Sequence, residues 1–438
     1  MLAAMDDVLI VGAGPAGLLA GWVASSRGAR VRVLAAGIGT THLSPGWIGV
    51  LDTEAAAPCR CKGESATGPG QDLTGALESW IAGHAEHPYA LSGLDALRGG
   101  IAALQEASAQ AGVRYVGDLR GNLRLPTALG ALVPAALAPE SFAAGDARLP
   151  GEMLIAGPAG WRDFYPALCA GNLARQGIAA RSAVFDLPEA ATGKFDTTSV
   201  GLARLFERAD VRARVATQVK AELLKGGAAR VGLPAVLGLE GHADAWRDLQ
   251  DRLGVPVFEI PTLPPSVPGI RLFSAFKRAL LRSGARILLD MTATRGLTEG
   301  KRAVGVVVPS PAREATYRAD RIILATGGLY GGGISSDRRG ELRETIFDLP
   351  LSVPGALGER STGAGPAWFD ERLLSQEGHP VHLAGVRANA HLQPVSEAGT
   401  VLLENVRIAG RLLAGCNPVI EGSTEGVWLA TAYRAATT

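Results

Sequence analysis

Aromatic side chains are scarce in this chain of 438 residues: 10 Phe, 6 Tyr and 7 Trp make up 5% of it. A core so poor in rings has to be closed by aliphatic residues and alanine, and an apolar content of 47% supplies them. With 19% charged residues that content also excludes a disordered chain. Cysteine is rarer still. Cys59, Cys61, Cys169 and Cys416 are too few for a disulfide-stapled secreted scaffold, so a reducing cytoplasm is expected. Cys59 and Cys61 form a lone Cys-x-Cys in a Gly/Pro-rich stretch with no second ligand pair nearby, and no metal site is expected there. Neither charge sign is in excess, since 43 basic residues oppose 42 acidic ones, and no electrostatic case for nucleic acid arises. Long apolar runs are missing too. The most apolar stretch, residues 125–139, is shorter than the ~20 residues a spanning helix needs and is broken by Pro126, Pro134 and Pro139. The start of the chain lacks the basic-then-apolar pattern of a signal peptide.

What is present begins at once. Residues 8–11 are a β-branched and aliphatic run of the kind that forms a buried parallel strand. Gly12-Ala13-Gly14-Pro15-Ala16-Gly17 follows, then a helical pattern over 16–27, a stop at Gly28 and a second strand over 31–34. Strand, glycine turn, helix and strand in about thirty residues is the dinucleotide-binding fingerprint in its proper context. Gly12 permits the tight turn, Gly14 lets backbone approach a diphosphate, and Gly17 lets helix pack on strand. Unpaired N–H groups and the dipole at the helix start favour the phosphates. One expected part is missing: the acidic residue that commonly ends the second strand and holds a ribose is replaced by Ala35 and Ala36, with Asp52 the nearest downstream carboxylate. This argues against ordinary NAD binding and weakens the grip on an adenosine half.

Two later segments point to a flavin. A helix over 270–280 leads to strands over 286–291, 303–308 and 321–324, the last running into Ala325-Thr326-Gly327-Gly328. In two-domain flavoproteins such a turn returns the chain beside the nucleotide. Near the end, a strand over 406–409 precedes Gly410 and Gly415, and Gly422 to Gly426 lead into an alanine-rich helix. In such enzymes that helix aims its N-terminus at the flavin pyrimidine, where a positive end favours the reduced ring. The expected fold is therefore α/β, a Rossmann-like, glutathione-reductase-like flavoprotein with a second α/β lobe. Its expected parts are a nucleotide-binding part over 1–112, a middle cap and substrate lobe over 113–265, and a returning segment over 266–438. Expected cofactor contacts are Gly12, Ala13, Gly14, Pro15, Ala16, Gly17, Ser44, Thr326, Gly327, Gly328, Gly410 and Gly426.

Three further strings carry a family resemblance. His87-Pro88-Tyr89, the proline-rich Pro261-Thr262-Leu263-Pro264-Pro265-Ser266-Val267-Pro268-Gly269-Ile270-Arg271-Leu272, and the run from Ala325 to Gly333 resemble the B subunit of bacterial anaerobic glycerol-3-phosphate dehydrogenase. The likeness covers most of the chain. It implies oxidation of sn-glycerol 3-phosphate to dihydroxyacetone phosphate, with electrons passing to quinone. It also implies a heterotrimer in which a flavoprotein, the A subunit, and an iron–sulfur protein, the C subunit, are its partners. The C subunit docks the pair on the inner membrane, so the chain would be cytoplasmic and peripheral. The family's B subunit is usually assigned FMN; Ala35 and Ala36 suit that choice, with FAD the alternative. Two departures stand out: Ser423-Thr424-Glu425 replaces part of a glycine cluster, where Glu425 would oppose charge on a reduced ring, and residues 59–70 form an idiosyncratic loop.

Oxidising a secondary alcohol needs a base for the hydroxyl proton, and a phosphorylated substrate wants arginine. Arg271, opening a helix after the proline-rich string, is the first choice for the phosphate and Arg343 the second. His42, in the loop after the second strand, is the choice for the base over His382 and His391, against the plainer reading of a surface-loop histidine. In the middle lobe, a strand over 153–156 and a helix over 163–175 flank Gly157-Pro158-Ala159-Gly160, a plain βα turn before it is a phosphate loop. Two other readings remain open: an electron-relay and assembly subunit whose flavin never meets substrate, and an unrelated flavin dehydrogenase of ketosteroid or fumarate-reductase type.

Overall fold

A computed structural model describes residues 5–53, 72–191, 197–309, 314–352, 368–373, 375 and 378–438. Cys59, Cys61 and the loop to residue 70 lie outside the described residues. The chain forms two compact units. The first comprises the chain up to Thr40, Gly49–Ala111 and Phe276–Thr438; the second comprises Thr41–Ile48 and Gly112–Ala275. The second unit thus takes in a short early segment and ends within the helix Val267–Arg282, ten residues beyond the 265 boundary expected from sequence.

In the first unit, strand β1 (Asp6–Val11) leads through the glycine turn into helix α1 (Pro15–Ser26) and strand β2 (Val31–Leu34). Helix α2 (Leu94–Ala109) follows, then strands β3 (Arg286–Leu288), β4 (Ala319–Leu324) and β5 (Val406–Ile408), and helix α3 (Thr424–Thr437). The sheet runs β3-β2-β1-β4-β5 with every neighbouring pair parallel. Val11 pairs with Leu34 and Leu324, and Leu324 with Ile408, so these strands finish at one edge. Parallel strands covered by helices are apolar throughout, and Leu9, Ile10, Val33, Leu34, Ile322, Ile323 and Leu324 are all fully buried. Helices α1 and α3 are buried along most of their length, because alanine and glycine let neighbouring backbones close in where few rings are available. A three-stranded antiparallel sheet (Arg295–Glu299, Arg302–Val308, Ala315–Tyr317) extends this unit.

The second unit has its own parallel sheet, in the order Val257–Ile260, Arg230–Pro234, Met153–Pro158, Ala180–Phe185. Its core centres on Met153, Leu154, Ile155, Phe185, Phe206 and Phe258. Two expectations shift. The strand at 153 continues through Gly157 and Pro158, which removes the phosphate-loop reading of 157–160. The next helix is Pro166–Arg175, since Pro166 fits only its first turn. The apolar stretch 125–139 lies within hairpin strands (Leu123–Pro126, Leu132–Ala135, Leu137–Pro139), where proline ends each strand or interrupts its ladder. No helix among the described residues is long and apolar enough to cross a membrane.

Candidate functional site

The glycine turn is shaped by contacts a side chain would destroy. Gly12 has φ +115°, and a Cβ there would stand 2.2 Å from the carbonyl oxygen of Ala325. A Cβ on Gly17 would stand 2.0 Å from the carbonyl oxygen of Gly12. Gly14 differs: a Cβ there meets no protein atom within 4 Å, so the space over it is open. Gly14 is also the N-cap of α1, with Pro15 in the first turn, no side-chain cap and no acidic residue beside the helix start. Ala13 and Ala16 complete this turn and are buried. An uncapped helix start with open space over its cap glycine is an anion cradle.

The returning turn lies against the same glycines. Thr326 Oγ1 is buried and has no hydrogen-bond partner, an orphan that a bound polar group would satisfy. Gly327 has φ +75° and packs on Gly331, while a Cβ on Gly328 would come within 3.0 Å of the carbonyl oxygen of Arg411. The open space at Gly14, the uncapped amides and the orphan hydroxyl fit a nucleotide bound by its phosphates.

Two of the expected cofactor contacts have packing partners of their own. A Cβ on Gly410 would lie 3.0 Å from the Cβ of Ala16, and the Gly410 amide donates to Thr431 Oγ1 at 2.9 Å. Gly426 faces the hydroxyl of Tyr89: a Cβ there would lie 1.9 Å from it. Both glycines allow α3 to pack and present nothing to a ligand from that side.

Arg271 is also reassigned. Its guanidinium is buried, gives Nη1 and Nη2 to Glu259 at 2.7 and 3.0 Å, and donates Nε to the carbonyl of Gly238 at 2.8 Å. His242, Ser141 and the Leu237 amide complete the shell around Glu259 at 2.9, 2.8 and 3.1 Å. Burial alone would raise the Glu259 carboxyl, but Arg271 and His242 hold it far below the usual range. Arg271 is thus a structural ion partner. Arg343 stands on the hairpin of Ile334–Ser336 and Leu342–Glu344, 67% exposed and 3.5 Å from Asp348.

His42 sits in the short turn Thr41–Leu43 of the second unit. Its ring meets Phe273 edge-on at 5.2 Å, and Nε2 is buried without a partner. Burial lowers its pKa, so the ring is neutral at pH 7 and able to accept a proton. The proline-rich string holds this turn: Ser266 N donates to the carbonyl of His42 at 2.8 Å, and Gly269 permits an approach in which a Cβ would lie 2.2 Å from the carbonyl oxygen of Thr41. Ser44 Oγ accepts from Gly46 N at 3.2 Å, bracing the same segment. His382 is half-buried beside Arg411 and His391 is exposed.

Sequence reasoning missed one cluster. His87, Cys416 and Glu421 are buried, with ligand-capable atoms within 4.8 Å of one another. Tyr89 N donates to His87 Nδ1 at 3.1 Å, which places the proton of a neutral ring on Nε2. Nε2 then donates to Glu421 Oε2 at 3.1 Å and offers no lone pair to a metal. The cluster is a hydrogen-bond knot on a carboxylate. His87-Pro88-Tyr89 marked one side of it, but nothing local announces Glu421.

The chain matches the FAD binding domain family over residues 7–427. A protein of Halobacterium salinarum, named as the probable B subunit of anaerobic glycerol-3-phosphate dehydrogenase, is 32% identical over 100% of this chain and 98% of its own. The chain belongs to that family. Proteins named as the B subunit in Pectobacterium atrosepticum and Yersinia pestis are 28% and 29% identical, covering 98% and 97% of this chain and 97% and 96% of their own. The relatives are named as subunits of a dehydrogenase, and the chain shares with that family a flavin-binding oxidoreductase domain. The domain indicates FAD more directly than the FMN favoured from Ala35 and Ala36. Among solved structures, 3-ketosteroid delta1-dehydrogenase from Sterolibacterium denitrificans is similar at TM-score 0.45 and 13% identity, covering 99% of this chain and 98% of its own. A flavocytochrome c3 fumarate reductase is similar at TM-score 0.45 and 11% identity, covering 99% of this chain and 78% of its own.

Proposed function

We propose that this protein oxidises sn-glycerol 3-phosphate to dihydroxyacetone phosphate. Its electrons pass to quinone through two partners, a flavoprotein (the A subunit) and an iron–sulfur, membrane-docking protein (the C subunit). The full-length relationship to proteins named as the B subunit supports this reading, and the cradle of Gly12, Gly14, Gly17 and Thr326 supports its flavin. That flavin, FAD by the family's description and FMN in the alternative, supplies a two-electron acceptor when bound. Gly12-Ala13-Gly14-Pro15-Ala16-Gly17 hold its phosphates, with Thr326, Gly327 and Gly328 beside them and Ser44 bracing the catalytic turn. His42 Nε2 takes the hydroxyl proton, because the atom is neutral, unpartnered and held in place. Arg343, whose Asp348 partner stands 3.5 Å away, is the arginine left for the phosphate.

The test is anaerobic addition of sn-glycerol 3-phosphate to the flavin-loaded protein. Bleaching of the flavin absorbance supports the dehydrogenase reading. The engagement of Arg271 by Glu259 favours one alternative, an electron-relay and assembly subunit. In that case a chemical reductant bleaches the flavin and the substrate does not.

A further inference from the structure

The first sheet has a second opening, at the end opposite the glycine turn. A cavity of about 490 Å³ lies there, where β1, β4 and β5 begin and where α1 and α3 finish. Val8, Ala24 and Ala436 give it apolar wall, and three arginines, Arg27, Arg321 and Arg407, line it as well. A strand advances about 3.3 Å per residue, so the four steps from Val8 to Gly12 separate this cavity from the glycine turn by roughly 13 Å.

Strand register sets two of the arginines side by side. Arg321 and Ile323 share one face of β4, because side chains alternate along a strand, and Ile323 pairs in parallel with Arg407 of β5. Both guanidiniums reach the end of α3. Arg321 Nη1 donates to the carbonyl of Ala436 at 3.4 Å, and Arg407 Nε to Thr438 Oγ1 at 3.4 Å. Arg407 Nη1 donates to the carbonyls of Glu404 and Val406 at 2.8 and 3.1 Å. All these acceptors are uncharged. Among the described residues, neither guanidinium meets a carboxylate, and the Nη2 group of each has no protein acceptor. Both side chains are half-buried. Burial and the charge of Arg321 push the Arg407 guanidinium below its usual pKa, with no carboxylate field opposing them.

The acidic groups at this cavity do not neutralise the pair. Asp7 is taken by Arg30, whose backbone amide and Nε donate to it at 2.8 and 3.0 Å. Asp320 and Glu404 are exposed, and Asp320 stands 3.9 Å from Arg302. Exposed charges are screened by salt far more than half-buried ones. The ends of α1 and α3 supply about half a negative charge each, against two full positive charges. Arg27 adds a third from the surface, with Nη2 donating to the Tyr433 hydroxyl at 3.1 Å. Like charges on adjacent strands, with unused donors beside a cavity of small-ligand size, call for an anion.

We propose that Arg321 and Arg407 bind a phosphate group in this cavity, either free phosphate or the head of a small monoester, at a site separate from the nucleotide cradle. Planar guanidinium forks match the spacing of phosphate oxygens, and each Nη2 is available to donate. The wall of Val8, Ala24 and Ala436 offers an apolar surface to the organic part of a monoester. The site stands whether or not a flavin fills the cradle.

The test is calorimetric titration of the full chain, in excess FAD to keep the cradle filled, with inorganic phosphate and with phenyl phosphate at fixed ionic strength. Saturable binding of at least one of them is expected. Arg321→Gln and Arg407→Gln should each raise the dissociation constant about tenfold or more, the worth of a hydrogen bond to a charged group. Phosphate should also raise the melting temperature of the unaltered protein over chloride, and lose that effect in both variants. Arg407→Lys keeps the charge without the fork, should also weaken binding, and carries the test if Arg407→Gln does not fold. Tighter binding of phenyl phosphate identifies a monoester site, and equal binding a free-phosphate site. No saturable heat with either anion, or binding that both glutamine substitutions leave unchanged, overturns the proposal.

Discussion

Arg271 and Glu259 are locked in a two-pronged ion pair inside the second unit, at 2.7 and 3.0 Å, with both side chains buried. Removing one partner of such a pair leaves an uncompensated charge and costs about 3–5 kcal/mol. Arg271→Ala is therefore expected to lose that much stability in denaturant unfolding at neutral pH. His242 gives the loss a pH dependence. Burial and the Arg271 charge now depress its pKa; without Arg271, the Glu259 charge opposes burial and the depression lessens. A histidine with a depressed folded pKa loses stability as pH falls through its unfolded value, so lessening the depression recovers stability at low pH. The deficit of Arg271→Ala should thus shrink below about pH 6.5, the ordinary histidine value, and widen above it. A pH-independent deficit contradicts this assignment.

Gly14 and Gly17 separate ligand binding from folding. Gly17→Ala forces a methyl to within 2.0 Å of the Gly12 carbonyl oxygen and should cost about 1–3 kcal/mol of stability. Gly14→Ala meets no protein atom within 4 Å and should melt like the unaltered apoprotein. Its methyl projects into the open cradle, so flavin affinity should fall at least tenfold, about 1.4 kcal/mol. Fluorescence titration with FAD and FMN, set beside thermal melts, checks both.

Glu425 should destabilise the fold at alkaline pH. Its folded pKa, pushed up to about 7 by burial, lies above the ordinary carboxyl value of 4.5. Ionisation therefore costs stability progressively between those pH values, and the full penalty is present above about pH 7. Glu425→Gln removes the charge, and a tenfold change in proton affinity is worth about 1.4 kcal/mol. The variant should match the unaltered protein near pH 4.5 and melt higher at pH 8. Equal melting at pH 8 would show that the carboxyl is not desolvated.

The first βαβ unit was legible because its signals are local. A run of buried aliphatic residues, three glycines at fixed spacing and Gly28 at the helix end place β1, α1 and β2 within a residue or two. Ala325-Thr326-Gly327-Gly328 was legible for the same reason. Arg271 was misread, and the packing role of Gly426 missed, because their partners are remote in sequence. Nothing near Gly426 foretells Tyr89 above it, and nothing near Arg271 foretells Glu259 at the end of the strand Val257–Ile260. A lone arginine after a proline-rich string reads as exposed until a buried carboxylate claims it. The knot around Glu421 is hidden in the same way, since its donors come from residue 87 and from residues 416–423.

The central claim is that the open cradle over Gly14 holds a flavin nucleotide by its phosphates. Mass identification of whatever the purified, undenatured protein releases on unfolding tests it most directly. The account predicts a flavin nucleotide at close to one per chain, and less of it from Gly14→Ala. A colourless protein that takes up neither FAD nor FMN on incubation would contradict it.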